Sequence, residues 1–191
     1  DEDVQDYFKL CMASIIKKVS NADDTSPKPY VSNKIIKVPP TVEKEFTSVF
    51  RRYKQMMQEL IHVKKMGNTV IIQGDALEFS VPSGIDLAIT SPPYINAFDY
   101  GRTMRLENLW LDTLTEEMLR KKKSRYVGTE KINTKEEKNE LGILEKSDLL
   151  KEYYNQIAER DEKRALIVKK FFEDMENNLR CVYSQMNIGG K

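Results

Sequence analysis

The stretch "IDLAITSPPYINAFDYGR", residues 85–102, begins as an apolar run and stops abruptly at a pair of prolines. The run IDLAIT is short and rich in aliphatic and β-branched side chains, so it predicts a buried strand over residues 85–90. Pro92 and Pro93 end that strand, because a proline cannot donate a backbone N–H to a sheet. Each proline also fixes its own φ and restricts the residue before it. Residues 91–94, Ser-Pro-Pro-Tyr, are therefore predicted to form a rigid loop, which we name the 91–94 loop.

The 91–94 loop gathers hydrogen-bond acceptors beside an aromatic ring. The Ser91 hydroxyl and the carbonyls of Ser91 and Pro92 can accept hydrogen bonds, while neither proline can donate one. Tyr94 adds a flat face on which another ring can stack. This combination suits a planar ring that carries an exocyclic amino group. A structural interpretation stays open, in which the Pro-Pro pair makes a tight exit from the sheet and Tyr94 covers the core.

A second apolar run, TVIIQ at residues 69–73, also predicts a strand and is followed directly by Gly74, Asp75 and Ala76. Two strands of continuous apolar character predict the inner strands of a parallel sheet flanked by helices, an α/β fold. Functional groups in such sheets collect beyond the C-terminal ends of the strands. Gly74 allows a ligand to approach the backbone, and Asp75 can accept hydrogen bonds from an amine or a hydroxyl. On its own, Gly-Asp is also an ordinary turn.

Helical and charged patterns divide the chain into four predicted segments. Two strands are too few for a stable parallel sheet, so we expect the chain to be part of a larger α/β domain. The segments are a helical N-terminal part that packs on the catalytic domain (residues 1–68), a catalytic core with both motifs (69–118), a charged, mobile excursion (119–146) and the C-terminal helices of the same domain (147–191).

Composition excludes several classes of function. Lys and Arg total 31 against 30 Asp and Glu, a net charge of +1, so any cationic surface must be local. No apolar run approaches the roughly 18 residues of a membrane span. With one histidine and two cysteines that lack metal-ligand spacing, the chain predicts no metal site. The two cysteines, Cys11 and Cys181, are predicted to be buried free thiols in a reducing cytoplasm.

Three stretches resemble the amino-group DNA methyltransferases that use S-adenosylmethionine. "DLAITSPPY" resembles their catalytic motif, "VIIQGDALEF" the segment just upstream of it, and "MNIGGK" the glycine turn that precedes their next strand. The resemblance implies a partial Rossmann-like methyltransferase fold. One departure is clear: the family's Gly-rich cofactor loop, Phe-x-Gly-x-Gly or similar, is not found in residues 1–191. We therefore expect the chain alone to have negligible activity and to bind the cofactor weakly.

The resemblance also implies a reaction and a set of site residues. A base is flipped out of double-stranded DNA, and its amino group receives the methyl group of S-adenosylmethionine. Serine at the first motif position favours N4 of cytosine; N6 of adenine, an RNA substrate and a non-catalytic domain of the same fold are the alternatives. The implied catalytic residues are Ser91, Pro92, Pro93 and Tyr94, and the implied cofactor-binding residues are Gly74, Asp75, Ala76 and Ser91.

A dense basic run, "RKKKSR" at residues 120–125, follows the catalytic motif. Contact with DNA phosphates is the functional interpretation, and a solvated loop is the alternative. The predicted partners are double-stranded DNA, the remainder of the methyltransferase domain and a cognate restriction endonuclease. The residues predicted to contact nucleic acid are Arg102, Arg105, Lys121, Lys122, Lys123 and Arg125.

Overall fold

The computed structural model describes residues 1–63, 67–81, 84–95 and 99–191. Within these ranges the chain forms nine α-helices. No helix in the described part of the chain is both long enough and apolar enough to span a bilayer. The helices are α1 (Glu2–Val19), α2 (Val42–Ile61), α3 (Tyr100–Thr103), α4 (Arg105–Trp110), α5 (Glu116–Lys123), α6 (Thr134–Asn139), α7 (Gly142–Glu145), α8 (Asp148–Ala158) and α9 (Glu162–Ser184).

The predicted parallel sheet and Rossmann-like α/β fold are wrong. The described residues contain no regular strand, and both apolar runs, 69–73 and 85–90, lack one. A strand exists only through a ladder with a neighbour, and residues 69–73 have no such ladder in the described part of the chain. Burial also differs from the prediction, because Ile71 is 93% and Ile89 is 86% exposed. Apolar, β-branched residues are favoured in strands, but composition does not provide the neighbouring strand with which a strand must pair.

Residues 85–88 instead form backbone hydrogen bonds with residues 185–191. Ile85 forms an isolated parallel bridge with Met186. Its N–H donates to the Gln185 carbonyl and its carbonyl accepts from the Asn187 N–H, both at 2.9 Å. After a turn with Gly189 at φ 84°, the Lys191 N–H donates to the Asp86 carbonyl at 2.9 Å. These hydrogen bonds join residues 85–88 to residues 185–191, and none of them involves the 91–94 loop itself.

The chain divides into two compact units. Unit 1 comprises Asp1–Val70 and Tyr100–Arg120. In it α1 packs on α2 through Cys11, Ile15 and Val49. The Tyr7 hydroxyl donates to the Phe50 carbonyl at 2.7 Å, which adds a polar tie between the same helices. Burial raises the pKa of the Cys11 thiol.

Unit 2 comprises Ile71–Asp99 and Lys121–Lys191. Its centre is α9, which packs against α6, α7 and α8. Ser147 caps α8 by accepting from the Leu150 N–H at 3.2 Å, and Asp161 caps α9 by accepting from the Arg164 N–H at 3.0 Å. Ala165 and Leu166 are fully buried on α9.

Unit 2 also contains a buried ion cluster, formed by Glu137, Lys169, Lys170, Glu173 and Asp174. The fully buried Lys169 ammonium lies 2.9 Å from carboxylate oxygens of both Glu137 and Glu173. Burial lowers the pKa of Lys169, but the hydrogen bonds that its ammonium donates to Glu137 and Glu173 outweigh this effect, so that the pKa is raised overall. Burial raises the pKa of the Glu173 and Asp174 carboxyls. The cluster ties α6, within the predicted excursion, to α9.

Candidate functional site

The 91–94 loop presents its polar atoms and its aromatic ring to solvent. Ser91 and Pro92 are exposed, Pro93 is partly buried, and Tyr94 is 69% exposed. Stacking of a flat ligand on the Tyr94 ring would remove apolar surface from water, which is favourable. The loop thus has the accessibility that stacking on a flat ligand requires, and Tyr94 does not cover the core.

The loop is backed by a turn from the charged stretch. The Thr129 N–H donates to the Tyr126 carbonyl at 3.0 Å, and Gly128 in this turn has φ +78°. A Cβ at Gly128 would lie 3.1 Å from the Tyr94 carbonyl oxygen and 3.4 Å from the Ile95 Cα. The turn therefore lies directly against the backbone at the end of the loop.

The Gly-Asp motif makes a different set of contacts. The Asp75 carboxylate lies 2.9 Å from the Arg125 guanidinium, and its other oxygen accepts from the Leu77 N–H at 3.1 Å. The Ala76 carbonyl accepts a hydrogen bond from the Asn178 side chain of α9 at 2.6 Å. At Gly74 the nearest atom to an added Cβ would be 3.9 Å away, so the backbone there is open to approach. Asp75, predicted to bind cofactor, and Arg125, predicted to bind DNA, thus form one ion pair.

A cavity of about 350 Å³ adjoins this ion pair. It offers carboxylate acceptors at Asp75 and Asp174 and cationic donors at Arg125 and Lys170. The volume lies within the range of about 300–1,000 Å³ that is usual for small-molecule sites. Lys170 and Asp174 are themselves joined at 3.1 Å, which connects the cavity to the buried ion cluster. The arrangement can bind a ligand that has both amino or hydroxyl groups and an anionic group.

Several of the predicted DNA-contacting cations already have carboxylate partners. Arg105 lies 2.5 Å from Glu116 in unit 1, and in unit 2 Lys123 pairs with Asp99. The Arg105–Glu116 pair is exposed on both sides, and such pairs are worth about 0–1 kcal/mol, so a phosphate could replace Glu116 at little cost. Asp99 is only 16% exposed, so its pair with Lys123 is less open to exchange. Arg102 lies on α3, and Lys121 and Lys122 lie on α5.

Three residues of the site were missed from the sequence. Lys170 and Asp174 lie on an amphipathic helix, where charged residues are ordinarily solvated, and no pattern distinguished them. Gly128 did leave a signal, because a lone glycine within a charged, aperiodic stretch indicates a turn that needs a positive φ. No group of three or more His, Cys, Asp or Glu residues in the described ranges is placed to hold a metal ion.

The chain is similar to a Type II methyltransferase. The relative is M.MvaI of Kocuria varians, which is 26% identical over 197 residues, an alignment that covers 94% of this chain and 43% of the relative. The chain thus spans less than half the length of the curated relative it matches. No protein-family model matches the chain, and no solved structure matches it. The similarity is distant, and it supports a methyltransferase in general terms.

Proposed function

We propose that this chain contributes the base-binding part of a DNA methyltransferase that modifies an exocyclic amino group, most specifically N4 of cytosine. The observation that carries the proposal is the 91–94 loop, whose acceptors and Tyr94 ring are exposed together. The similarity to a Type II methyltransferase over nearly the whole chain supports the same class of reaction.

The loop acts by orienting the target amino group. The Ser91 hydroxyl and the Pro92 carbonyl accept its two hydrogens, which keeps the nitrogen lone pair from delocalising into the base ring. Tyr94 stacks on the flipped base and fixes its plane, and stacking of this kind is worth about 1–3 kcal/mol per base. Positioning and preorganised dipoles therefore carry the catalysis, and no nucleophilic side chain is needed.

The residues around Asp75 fit the polar groups of S-adenosylmethionine. Asp75 and Asp174 can accept hydrogen bonds from its amino and hydroxyl groups, and Lys170 can pair with its carboxylate. When bound, this cofactor supplies a methyl group activated by a sulfonium centre. Residues 1–191 lack the Gly-rich loop of the family, so this chain supplies a part of the cofactor site.

We propose that the basic stretch at residues 120–125 forms the surface that contacts DNA. Lys121, Lys122, Lys123 and Arg125 follow one another closely at the end of α5, where they can contact successive phosphates of double-stranded DNA. Arg102 and Arg105 are proposed as phosphate contacts of unit 1. The remainder of the methyltransferase domain and a restriction endonuclease are the further proposed partners, with a cytoplasmic location.

A second candidate is a non-catalytic domain that binds nucleic acid or another subunit. The missing Gly-rich loop favours it, as do the exposed apolar side chains of Ile71 and Ile89. Such a domain would bind DNA without transferring a methyl group, so a measurement of methyl transfer distinguishes the two candidate functions.

That measurement is transfer of a labelled methyl group from S-adenosylmethionine to DNA by the protein in its full natural length. We expect Ser91→Ala and Tyr94→Ala each to lower incorporation by about 10²-fold or more, since each removes a group that positions the base. Matched controls are Ser184→Ala and Tyr183→Ala, which change exposed residues at the end of α9, Tyr183 being 80% exposed. Equal incorporation by all five proteins would refute the roles assigned to the loop.

A further inference from the structure

The turn behind the 91–94 loop has room only for glycine at one position. Gly128 is the third residue of the turn closed by the hydrogen bond from the Thr129 N–H to the Tyr126 carbonyl, and its φ of +78° is disfavoured for residues with a Cβ. An added Cβ would meet backbone, with the Tyr94 carbonyl oxygen at 3.1 Å and the Ile95 Cα at 3.4 Å. It would also meet the Phe171 ring of α9 at 3.4 Å. Backbone and a packed ring cannot move aside as a flexible side chain can.

Residues 123–129, which include this turn, make a second contact with the chain at Asp99, after the 91–94 loop. The Lys123 ammonium pairs with the Asp99 carboxylate, and the Thr129 hydroxyl donates to the Lys123 carbonyl at 2.7 Å. Burial, followed by the negative charge of Asp99, raises the pKa of the Tyr126 hydroxyl. Residues 123–129 therefore contact the chain at residues 94–95 and at Asp99.

This segment also touches the second motif. Arg125, three residues before Gly128, forms the ion pair with Asp75. One short stretch of chain therefore contacts the backbone of the candidate base-binding loop and the carboxylate of the candidate cofactor site.

We infer that Gly128 is a positioning residue for the 91–94 loop, with residues 123–129 as the element that holds it. The effect on catalysis rests on the proposed function, whereas the effect on the loop does not. Any side chain at position 128 displaces the Tyr94 carbonyl, and with it the Tyr94 ring and the neighbouring acceptors. A Cβ 3.1 Å from that oxygen requires a shift of a few tenths of an ångström. A displacement of about 1 Å at a reacting centre can lower the rate by about 10²-fold, so we expect this smaller shift to lower it by about tenfold.

Substitution of three glycines separates contact from backbone strain. Gly128→Ala introduces a steric contact and also backbone strain at a positive φ. Gly189→Ala introduces strain alone, at φ +84° with no atom within 4 Å of the new Cβ, and Gly142→Ala introduces neither contact nor strain. Gly128→Asn provides a fourth variant, because asparagine tolerates a positive φ but still adds a Cβ. We expect both position-128 variants to differ from wild type, and the two controls to resemble it.

The first readout is amide hydrogen exchange in peptides that contain Tyr94 and Ile95. We expect exchange there to quicken by about tenfold in Gly128→Ala and Gly128→Asn, and by less than twofold in Gly189→Ala and Gly142→Ala. The second readout is steady-state methylation, in which kcat falls by about tenfold for the position-128 variants while KM for DNA changes by less than twofold. A purely structural role would not separate kcat from KM in this way.

Two results would overturn the inference. One is the same Tyr94–Ile95 exchange in Gly128→Ala as in the two control variants. The other concerns the case in which Gly128→Ala loses its helical circular dichroism. The Lys123→Met variant, which removes the contact at Asp99, then replaces it and must quicken exchange in the same peptides. Unchanged exchange in Lys123→Met would refute the inference. A wild-type protein that transfers no methyl group would count against the proposed function alone, since the exchange comparison still decides the role of Gly128.

Discussion

Replacing Lys169 with methionine removes the central cation of the buried ion cluster while keeping the length of the side chain. The Lys169 side chain is 0% exposed, and its two partners, Glu137 and Glu173, are 11% and 23% exposed. The substitution leaves both carboxylates without their nearest cation in a poorly solvated site. Removing one partner from a buried ion pair costs about 3–5 kcal/mol, a large part of the about 5–15 kcal/mol that stabilises a typical domain.

Urea unfolding followed by far-ultraviolet circular dichroism measures this loss directly. The matched control is Lys138→Met on α6, the helix that carries Glu137. The Lys138–Glu162 pair is 49% and 58% exposed and belongs to a class worth about 0–1 kcal/mol. We also expect Lys169→Met combined with Glu137→Gln and Glu173→Gln to recover much of the loss, because no buried charge is then left unpaired. Equal losses in Lys169→Met and Lys138→Met would refute the account of the cluster.

Two further predictions concern charges at the rim of the candidate cofactor cavity. Burial raises the pKa of the Asp174 carboxyl, so the folded protein binds a proton at Asp174 more tightly than the unfolded chain does. The contribution of Asp174 to stability is therefore fully present below a pH of about 4 and falls as the pH rises through the raised pKa. Asp174→Asn should therefore gain stability relative to wild type as pH rises above about 4, and a constant difference in urea midpoint from pH 3.5 to 7 would contradict this. Arg125→Met should weaken binding to duplex DNA and reduce the slope of log K against log salt by about one in fluorescence anisotropy titrations. An unchanged slope would remove Arg125 from the set of phosphate contacts.

The helices of the chain were largely predictable from local sequence. The apolar residues of 42–61 recur at helical spacing, and this stretch forms α2, Val42–Ile61. Ser147 stands directly before an apolar run, the position of an N-cap, and it caps α8. These features depend on residues within a few positions of one another, so periodicity and capping rules apply to them directly.

The predicted strands fail for the opposite reason. Residues 69–73 and 85–90 have the composition of buried strands, but a strand depends on a partner segment that local composition does not specify. Residues 85–88 bond to the segment near Lys191 without forming a regular ladder. Composition alone could not distinguish this outcome from a sheet.

The candidate site was predictable residue by residue but not as an arrangement. Asp75 and Arg125 each stood out from their own motifs, yet their ion pair joins residues 50 positions apart. The pairing of Lys169 with Glu137 spans 32 positions, and Glu137 lies in the stretch whose charges predicted a mobile excursion. Contacts of this kind follow from how α9 and the 123–129 segment pack, and local patterns do not encode them. The division of the chain into four segments and the roles of the site residues remain predictions.

The identity of the methylated base tests the central claim most directly. DNA incubated with the full-length protein and isotopically labelled S-adenosylmethionine is digested to nucleosides and analysed by mass spectrometry. The account predicts labelled N4-methylcytosine for wild type and a loss of about 10²-fold or more for Ser91→Ala, with Ser184→Ala unchanged. Label on C5 of cytosine, or N4-methylcytosine in equal amounts from wild type and Ser91→Ala, would contradict it.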